Sequence, residues 1–370
     1  MEIGVEEIKK VVENFDVKGS SFSSRKFGNG HINDSYLIED NSDGAEKFIL
    51  RKINKYVFKN PDAVVNNSVK TVNHIREKLL AEGVKNYYDF LLTFIQTKTG
   101  GFAFVDKNSD YWCLTKFFAD SYTVDFVETE KQAYEAAKAF GKFQKQLADA
   151  DPNEFEIVIP DFHNLSKRIS AYEKAAENAS DERKEKAAEE MKTVDDFSRI
   201  VEKNNSLNES LSIPLRITHN DTKINNVMLD NKTDAAHCVI DLDTVMPGSV
   251  LSDFGDMVRT FTSPAEEDER DVSKVKMRLN IFKSLAAGYL EEMNGILTPS
   301  EKENLVFGAE MIVYEQAVRF LTDFFNNDMY YKTEYPEHNL VRTKNQFALL
   351  KSITEQSGEM EKIVTSLSAN

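Results

Sequence analysis

Cysteine is scarce in this chain, whose 370 residues include only Cys113 and Cys238. The two thiols are far apart in sequence and form no Cys-x-x-Cys pair, so the sequence predicts neither a disulfide framework nor a zinc site. Two isolated cysteines are typical of proteins from a reducing compartment.

Long apolar runs are also absent. No stretch reaches the roughly 20 apolar residues that span a bilayer, and the residues after Met1 lack the basic-then-apolar order of a secretory signal. We therefore expect a cytoplasmic protein with no membrane partner. Nothing indicates a coiled coil or an internal repeat, so we expect a monomer, long enough for roughly two domains.

Positive charge is in deficit, with 46 Lys and Arg against 62 Asp and Glu and a formal net charge of −16. Nucleic acid and anionic membranes would be repelled at long range, so we expect neither as a partner. The familiar nucleotide fingerprints are missing too. The glycine turn near Gly28 is followed neither by the Lys of a Walker A loop nor by the helix of a dinucleotide-binding motif.

The most informative stretch runs from Arg216 to Phe261. It predicts a strand, a polar loop from Asn220 to Asn226, a short strand, a polar turn and a third strand ending on Asp241. The turn signal is a cluster of polar residues between two apolar runs. Asp221, Asn226 and Asp241 are thereby delivered to the ends of neighbouring strands.

These residue types suit phosphoryl transfer, in which the protein mainly positions the reactants and neutralises charge on oxygens. Magnesium prefers oxygen ligands such as those of Asn226 and Asp241, which leaves Asp221 to accept the proton of an attacking hydroxyl. Lys223 is placed to meet the transferred phosphoryl group. The spacing His-x-Asp-x-Lys-x-x-Asn matches the catalytic loop of protein kinases. A turn-forming Asp and a surface Lys are the simpler alternatives, and for Lys223 both remain open.

Neighbouring residues of this stretch have structural interpretations. We expect His219 to brace the loop and Asp243 to be a solvated neighbour of the metal carboxylate. Asp253 begins an Asp-Phe-Gly triplet, the name of the protein-kinase magnesium motif, but it comes too late and starts a helix. We expect Asp253 to hydrogen-bond the catalytic loop from behind, with Asp256 and Arg259 anchoring the same helix.

The N-terminal part predicts a small antiparallel sheet. Residues 27–40 indicate a strand, a turn and a strand, in which Gly28, Asn29 and Gly30 offer backbone N–H groups to phosphates, although a hairpin turn also favours glycine. The next strand, 46–53, presents Arg51 or Lys52 to the phosphates, since the two point to opposite faces. A solvated strand edge is the alternative for either residue.

A helix from Pro61 to Glu82 follows, where protein kinases supply a Glu to pair the cation of that strand. No clear counterpart is present, because Asn66 and Asn67 stand at about the right distance and Glu77 is too late. Further strands are predicted at 90–96, 102–106 and 111–118.

We place the end of the N-terminal lobe at residue 118, so that residues 1–118 bind nucleotide and residues 119–370 form a catalytic and substrate-binding lobe. Backbone groups of residues 116–119 would meet the adenine edge. Phe117 and Phe118 are either cofactor contacts or core residues.

The C-terminal part is predicted to be mostly helical. Helices are expected at 130–150, as a charged pair within 161–211, and at 268–293, 299–325 and 345–367. Gly141 is expected to allow close approach of a neighbouring helix. Arg319 and Asp323 are spaced to share one helix face, either as an exposed ion pair or as groups that reach into the cleft.

The sequence THNDTKINNVMLD followed by VIDLDTVMPG resembles the aminoglycoside phosphotransferase/choline kinase superfamily. More narrowly, GNGHINDSY, VIDLDTVMPG…DFGD and RFLTDFFNND…HNL resemble the N-acetylhexosamine 1-kinases, and the similarity extends from Phe27 to about Gln346. The resemblance implies an α+β, bilobal, protein-kinase-like fold with a small antiparallel-sheet N-lobe and a larger helical C-lobe. It also implies ATP and magnesium as cofactors and the C1 hydroxyl of N-acetylglucosamine or N-acetylgalactosamine as acceptor.

By the same resemblance, Asp221 is the catalytic base, Asn226 and Asp241 hold magnesium, and the sugar contacts are His31 and Arg319, with Phe261 and Tyr330 or Tyr331 as candidate walls. Two alternatives stay open. The acceptor is instead an amino alcohol, homoserine or an aminoglycoside, which would suit the negative net charge, or the chain is a nucleotide-binding pseudokinase. The missing helix Glu and the Arg at the strand position are the support for the pseudokinase.

Overall fold

A five-stranded antiparallel sheet forms the N-terminal lobe. In this computed structural model, which describes residues 4–19, 21–28, 33–41 and 46–369, the strands lie in the order β1-β2-β3-β5-β4. They are β1 (Phe22–Lys26), β2 (Asp34–Asp40), β3 (Lys47–Ile53), β4 (Phe104–Val105) and β5 (Tyr111–Lys116).

Two helices cover the two faces of this sheet. Alternating side chains of β3 and β5, such as Phe48 and Trp112, point toward helix α1 (Val5–Val12) and form one apolar cluster. The opposite face packs against α2 (Pro61–Ala81), whose N-cap Asn60 accepts a hydrogen bond from the N–H of Ala63 at 3.3 Å. Arg51 is opposite Cys113 in the register of β3 and β5, on the face that looks toward α2.

The C-terminal lobe is mostly helical. Its core is a large apolar cluster contributed mainly by the long helices. The helices are α3 (Glu130–Gln146), α4 (Leu165–Asn178), α5 (Asp181–Lys186), α6 (Ala188–Asp196), α7 (Arg199–Glu209), α8 (Val250–Thr262), α9 (Leu279–Met293), α10 (Pro299–Glu303), α11 (Leu305–Phe325) and α12 (His338–Ser368).

Helices of this lobe approach one another closely at glycines. A Cβ at Gly141 of α3 would lie 2.9 Å from the carbonyl oxygen of Tyr289 on α9. The prediction that Gly141 allows close approach of a neighbour is therefore confirmed.

Two small sheets position the loop that follows residue 218. Strand β7 (Arg216–Thr218) pairs with β10 (Met246–Gly248), while β6 (Ser121–Tyr122), β8 (Val227–Asp230) and β9 (Ala236–Val239) form a three-stranded sheet. The register continues past the strand ends, because the N–H of Ile240 donates to the carbonyl of Asn226 at 2.9 Å. The 220–226 loop and Asp241 therefore emerge side by side.

The expected α+β architecture, a small antiparallel sheet followed by a mostly helical part, is confirmed. The predicted lobe boundary falls between β5 and β6. No helix in the described part of the chain combines the length and the apolar character needed to cross a membrane.

Several element predictions were wrong. Residues 90–96 make only an isolated bridge, Phe94 with Thr115, because β4 occupies the other end of that edge of β5. The charged pair of helices is four helices, α4 to α7, since polar caps such as Ser180 restart the chain. The helix predicted from 268 begins at Leu279, and the one predicted from 299 is interrupted at Asn304.

Candidate active site

Buried carboxylates of α8 hold the 219–222 segment from behind. Asp253 accepts hydrogen bonds from the N–H groups of His219 at 2.8 Å and Asn220 at 2.7 Å. Asp256 accepts from the N–H of Thr222 at 2.9 Å and from Arg259 Nε at 2.9 Å. The predictions for Asp253, Asp256 and Arg259 are confirmed, and the loop conformation is over-determined by charge-assisted hydrogen bonds.

His219 is a structural residue, as predicted. Its ring is fully buried, lies edge-on to Phe140 and Phe143, and places Nε2 3.0 Å from the carbonyl oxygen of Ile240. The ring thus joins the loop to the residue just before Asp241.

Asp221 lies at the mouth of this loop between a cation and an amide. One carboxylate oxygen is 2.9 Å from Lys223 Nζ, and the other accepts from Asn226 Nδ2 at 3.1 Å. Burial opposes ionisation of Asp221, but Lys223 outweighs it and holds the pKa of the carboxyl below its ordinary value. Asp221 in turn raises the pKa of Lys223. The pair is therefore ionised at neutral pH.

Asp241 has a left-handed backbone, with φ 59° and ψ 58°. Such a conformation costs a non-glycine residue roughly 1–3 kcal/mol and is concentrated at functional sites. One carboxylate oxygen of Asp241 is 2.8 Å from Arg51 Nη1. The strained residue therefore faces the strand cation of the other lobe.

Asp243 is buried rather than solvated, which corrects the expectation from sequence. It lies 2.6 Å from Arg51 Nη2 and accepts a hydrogen bond from the side-chain amide of Asn33. Burial raises the pKa of Asp243 to about 6, although Arg51 acts in the opposite direction. The carboxylate that pairs the strand cation thus comes from the catalytic segment and not from α2.

The candidates on α2 have other roles. Asn67 is buried and donates to the carbonyl of Val245 at 2.9 Å, whereas Asn66 and Glu77 are exposed. Lys52 points away from Arg51 and pairs with Asp110 at 2.5 Å. Of the two strand cations, Arg51 is the one that faces the catalytic segment.

The residues expected around the nucleotide are only partly described. Gly28 has φ 78°, a left-handed backbone that glycine adopts readily, and Asn29, Gly30 and His31 lie outside the described residues. Phe117 is half-buried and edge-on to Phe27, with ring centroids 5.8 Å apart. Phe118 is a core residue, because it belongs to an apolar cluster with residues of both lobes, such as Ile75 and Phe143.

Arg319, on α11 of the C-terminal lobe, lies between two aromatic rings. Its guanidinium carbon is 5.5 Å from the ring centroid of Phe162 and 5.8 Å from that of Tyr331, and Nη1 donates to Gln316 at 2.9 Å.

Of the other predicted walls, Tyr330 is 67% exposed at the edge of this region. Phe261 is fully buried in the C-terminal core and has no surface for a ligand, so the prediction that it lines the acceptor site is wrong. The rings next to Arg319 belong to Tyr331, one of the two candidate tyrosines, and to Phe162, which was not predicted.

Asp323 neither pairs with Arg319 nor reaches the cleft, which corrects both expectations. It is buried, and its oxygens accept from the N–H groups of Tyr330 at 2.8 Å and Tyr331 at 2.9 Å and from Asn339 Nδ2 at 2.9 Å. Helix α11 therefore carries Arg319 and, through Asp323, also fixes the backbone of Tyr330 and Tyr331.

Sequence reasoning missed a cluster next to Arg319. His163 Nδ1 is 3.2 Å from Glu315 Oε1, and Arg168 Nε is 4.0 Å from the same oxygen. The available signal was Glu315 itself, a charged residue in the apolar run of α11 that a packed helix accepts only when the charge is paired.

A model of the phosphotransferase enzyme family (APH) matches residues 23–274, more than half of the chain. The chain belongs to this phosphotransferase family. It is accordingly a small-molecule phosphotransferase, a kinase that acts on an alcohol group, and the predicted superfamily is confirmed.

Solved kinases share the fold over nearly the whole length of this phosphotransferase. A microcompartment-associated aminopropanol kinase is 15% identical, with a TM-score of 0.63 and coverage of 97% of this chain and 99% of that one. A choline/ethanolamine kinase family protein from Mesorhizobium loti is 16% identical, with a TM-score of 0.57 and coverage of 99% of each chain. A spectinomycin phosphotransferase, solved with ADP and spectinomycin, is 14% identical, with a TM-score of 0.54 and coverage of 99% of each chain. At these identities the likeness shows the kinase-like fold alone.

The oxygens of the phosphotransferase site fit a hard divalent cation. Asn226 donates from its Nδ2 to the backbone and side chain of Asp221, and its Oδ1 accepts no hydrogen bond from the described residues. Arg51 contacts Oδ1 of Asp241, and Oδ2 of Asp241 makes no ion pair in the same part of the chain. An amide oxygen and a carboxylate oxygen are a donor set that magnesium accepts together with phosphate oxygens.

Proposed function

We propose that this phosphotransferase transfers the γ-phosphoryl group of ATP to the C1 hydroxyl of an N-acetylhexosamine, N-acetylglucosamine or N-acetylgalactosamine, and releases the sugar 1-phosphate. The observation that supports this acceptor is Arg319. Its guanidinium is held between Phe162 and Tyr331 and has no carboxylate within ion-pair distance among the described residues. Free N–H donors beside aromatic rings suit a neutral, oxygen-rich ring better than an ammonium group.

In the proposed mechanism, Asp221 orients the C1 hydroxyl toward the γ-phosphorus for in-line attack. Because Lys223 and Asn226 keep its carboxylate charged, Asp221 is a weak base that positions the nucleophile and takes the proton as the new bond forms. Lys223, 2.9 Å from Asp221, would neutralise the transferred phosphoryl group.

Asn226 and Asp241 would hold magnesium, and Arg51 would meet the other phosphates. The metal, when bound, would neutralise charge on the phosphate oxygens. Arg51 already lies beside Asp241 and Asp243, so it can turn from a carboxylate to a phosphate oxygen with little movement. Gly28 to Gly30 would cover the phosphates, and residues 116–119 with Phe117 would meet the adenine.

A cationic amino alcohol, homoserine or an aminoglycoside is the alternative acceptor, and the net charge of −16 favours a cation at long range. Locally, Arg319, which makes no ion pair among the described residues, would oppose an ammonium group placed beside it. A nucleotide-binding pseudokinase is the remaining reading, opposed by the paired Asp221 and Lys223.

A coupled ADP-release assay over N-acetylhexosamines, their 1-deoxy analogues, amino alcohols, homoserine and aminoglycosides separates these readings. We expect turnover with N-acetylhexosamines and none with the 1-deoxy sugars. Turnover only with amino alcohols, homoserine or aminoglycosides would show that the acceptor is one of these and not an N-acetylhexosamine. ATP binding without ADP release in the presence of any acceptor would indicate a pseudokinase.

Asp221→Asn tests the base in the same assay. We expect kcat to fall by roughly 10²–10⁴-fold, while nucleotide still raises the melting temperature. Near-wild-type turnover would remove Asp221 from this role.

A further inference from the structure

Glu315 and Arg319 are spaced to form an ion pair along α11, but they do not form one. They are four residues apart on α11 with the acid on the N-terminal side, the orientation that favours an ion pair along a helix. Yet Glu315 turns the other way, toward His163 at 3.2 Å and Arg168 at 4.0 Å. Within the described ranges, Arg319 has Gln316 as its hydrogen-bond partner and no ion pair.

The contact between His163 and Glu315 is largely out of water. The Glu315 side chain is 2% exposed and the His163 side chain 15%. His163 Nε2 and Glu315 Oε2 are buried and have no hydrogen-bond partner in the described part of the chain. A buried carboxylate requires a compensating charge, so Glu315 depends on His163, with Arg168 at the limit of contact.

We propose that His163 is a positioning residue for acceptor binding, which holds Glu315 against the 162–168 segment and so keeps the Arg319 guanidinium available to an oxygen of the acceptor. This inference rests on the proposed function, in which Arg319 contacts the acceptor. Without His163, two cations remain to compensate Glu315: Arg168, whose Nε is 4.0 Å from Glu315 Oε1, and Arg319, one helical turn along α11. The geometry along α11 favours Arg319 as the new partner. Pairing would neutralise Arg319 and turn its donors away from the pocket.

The charged groups around His163 determine how the contact between His163 and Glu315 responds to pH. They are Glu315 and Arg319 from α11, Arg168 from α4 and Asp256 from α8. Burial disfavours the imidazolium, but Glu315 outweighs burial and raises the pKa of His163 above its ordinary 6.5, while His163 helps to lower the pKa of Glu315. Because the folded pKa of His163 is raised, the pair is intact below it and is lost as pH rises through it. Acceptor affinity should therefore decline on the alkaline side of pH 6.5.

A double-mutant cycle tests the inference with the best acceptor of the panel. His163→Ala should raise the acceptor KM about tenfold, equivalent to about 1.4 kcal/mol, and leave kcat and the ATP KM unchanged. In a Glu315→Gln background, the same His163→Ala change should have no further effect on the acceptor KM, because a neutral amide no longer competes for Arg319. The control is His74→Ala, which removes another histidine–carboxylate contact, 2.9 Å from Asp149, on the surface of α2.

Equal effects of His163→Ala in both backgrounds would overturn the proposal, and so would a fall in kcat at constant acceptor KM. Failure of the proposed function is a different result, because wild-type protein would then not turn over N-acetylhexosamines, and the cycle would be run with the alcohol that it does use.

A substrate-free arm covers the case in which His163→Ala does not fold or no acceptor is found. NMR titration of 15N-histidine-labelled protein should give His163 a pKa above 6.5 in the wild type and a lower value in Glu315→Gln. An identical pKa in the two proteins would contradict the pairing.

Discussion

Gly255 on α8 lies where α8 crosses α11 with main chain against main chain. A Cβ at this position would lie 2.2 Å from the carbonyl oxygen of Gly308, 2.7 Å from its carbonyl carbon and 2.9 Å from Ile312 Cγ1. Ordinary contact begins at 3.4 Å, so Gly255→Ala requires the two helices to separate by more than an ångström. Neither clashing group of Gly308 is a side chain that can swing aside.

The magnitude follows from two opposing terms. Forcing an extra methyl group into a packed interface costs about 1–3 kcal/mol, and we take the upper end because main chain must move. Alanine recovers about 1 kcal/mol of helix propensity relative to glycine. We expect Gly255→Ala to lower the free energy of unfolding by about 2 kcal/mol.

Activity should fall as well, because α8 carries the carboxylates that hold the catalytic loop. Asp253 and Asp256 bond the N–H groups of residues 219, 220 and 222. A displacement of about 1 Å at a reacting group can lower the rate roughly 100-fold. We therefore expect kcat of Gly255→Ala to fall about 10- to 100-fold.

Urea unfolding followed by circular dichroism, together with ADP release, measures both effects. The matched control is Gly358→Ala on α12, an exposed site where a Cβ meets no atom within 4 Å, and it should stabilise the protein by about 0.5–1 kcal/mol. An unchanged unfolding midpoint and kcat for Gly255→Ala would refute the reasoning, since the helices would then separate without cost.

Two further predictions concern the two sides of the cleft. Arg51 uses separate nitrogens on Asp241 and Asp243, which one ammonium group cannot reproduce, so Arg51→Lys should raise the ATP KM about tenfold and leave the acceptor KM unchanged in the ADP-release assay. An unaltered ATP KM would contradict this. Asp323→Asn weakens the carboxylate that fixes the 330–331 turn beside Arg319, so the acceptor KM should rise at constant ATP KM; equal rises in both constants would instead indicate general loosening of the lobe.

Local sequence was sufficient for the catalytic loop. Asp221, Asn226 and Asp241 are spaced by strands and turns that polar and apolar residues specify directly, and the structure brings them together as that spacing predicts. Asp253 was also predictable, because a carboxylate at the start of a helix behind a loop has few alternatives to bonding the loop N–H groups.

Contacts between distant segments were not predictable. Asp243 looked like a solvated residue, since its burial depends on Arg51 and Asn33 from the other lobe. Phe261 looked like a pocket wall, but the helix face that contains it turns toward the C-terminal core. Whether a residue faces a cleft or a core depends on the rotation of its helix, which is set by packing against helices far away in sequence.

The support for a pseudokinase changes once these contacts are considered together. The absence of a Glu on α2 would matter if the strand cation had no carboxylate partner. Arg51 has two, Asp241 and Asp243, and its charge opposes the effect of burial on the pKa of Asp243. Helix α2 still contacts the same segment, through neutral hydrogen bonds from Asn67 to Val245 and from Ser68 to Leu242. The pairing that protein kinases obtain from a helix is thus supplied here from the catalytic segment, and the missing Glu no longer favours an inactive scaffold.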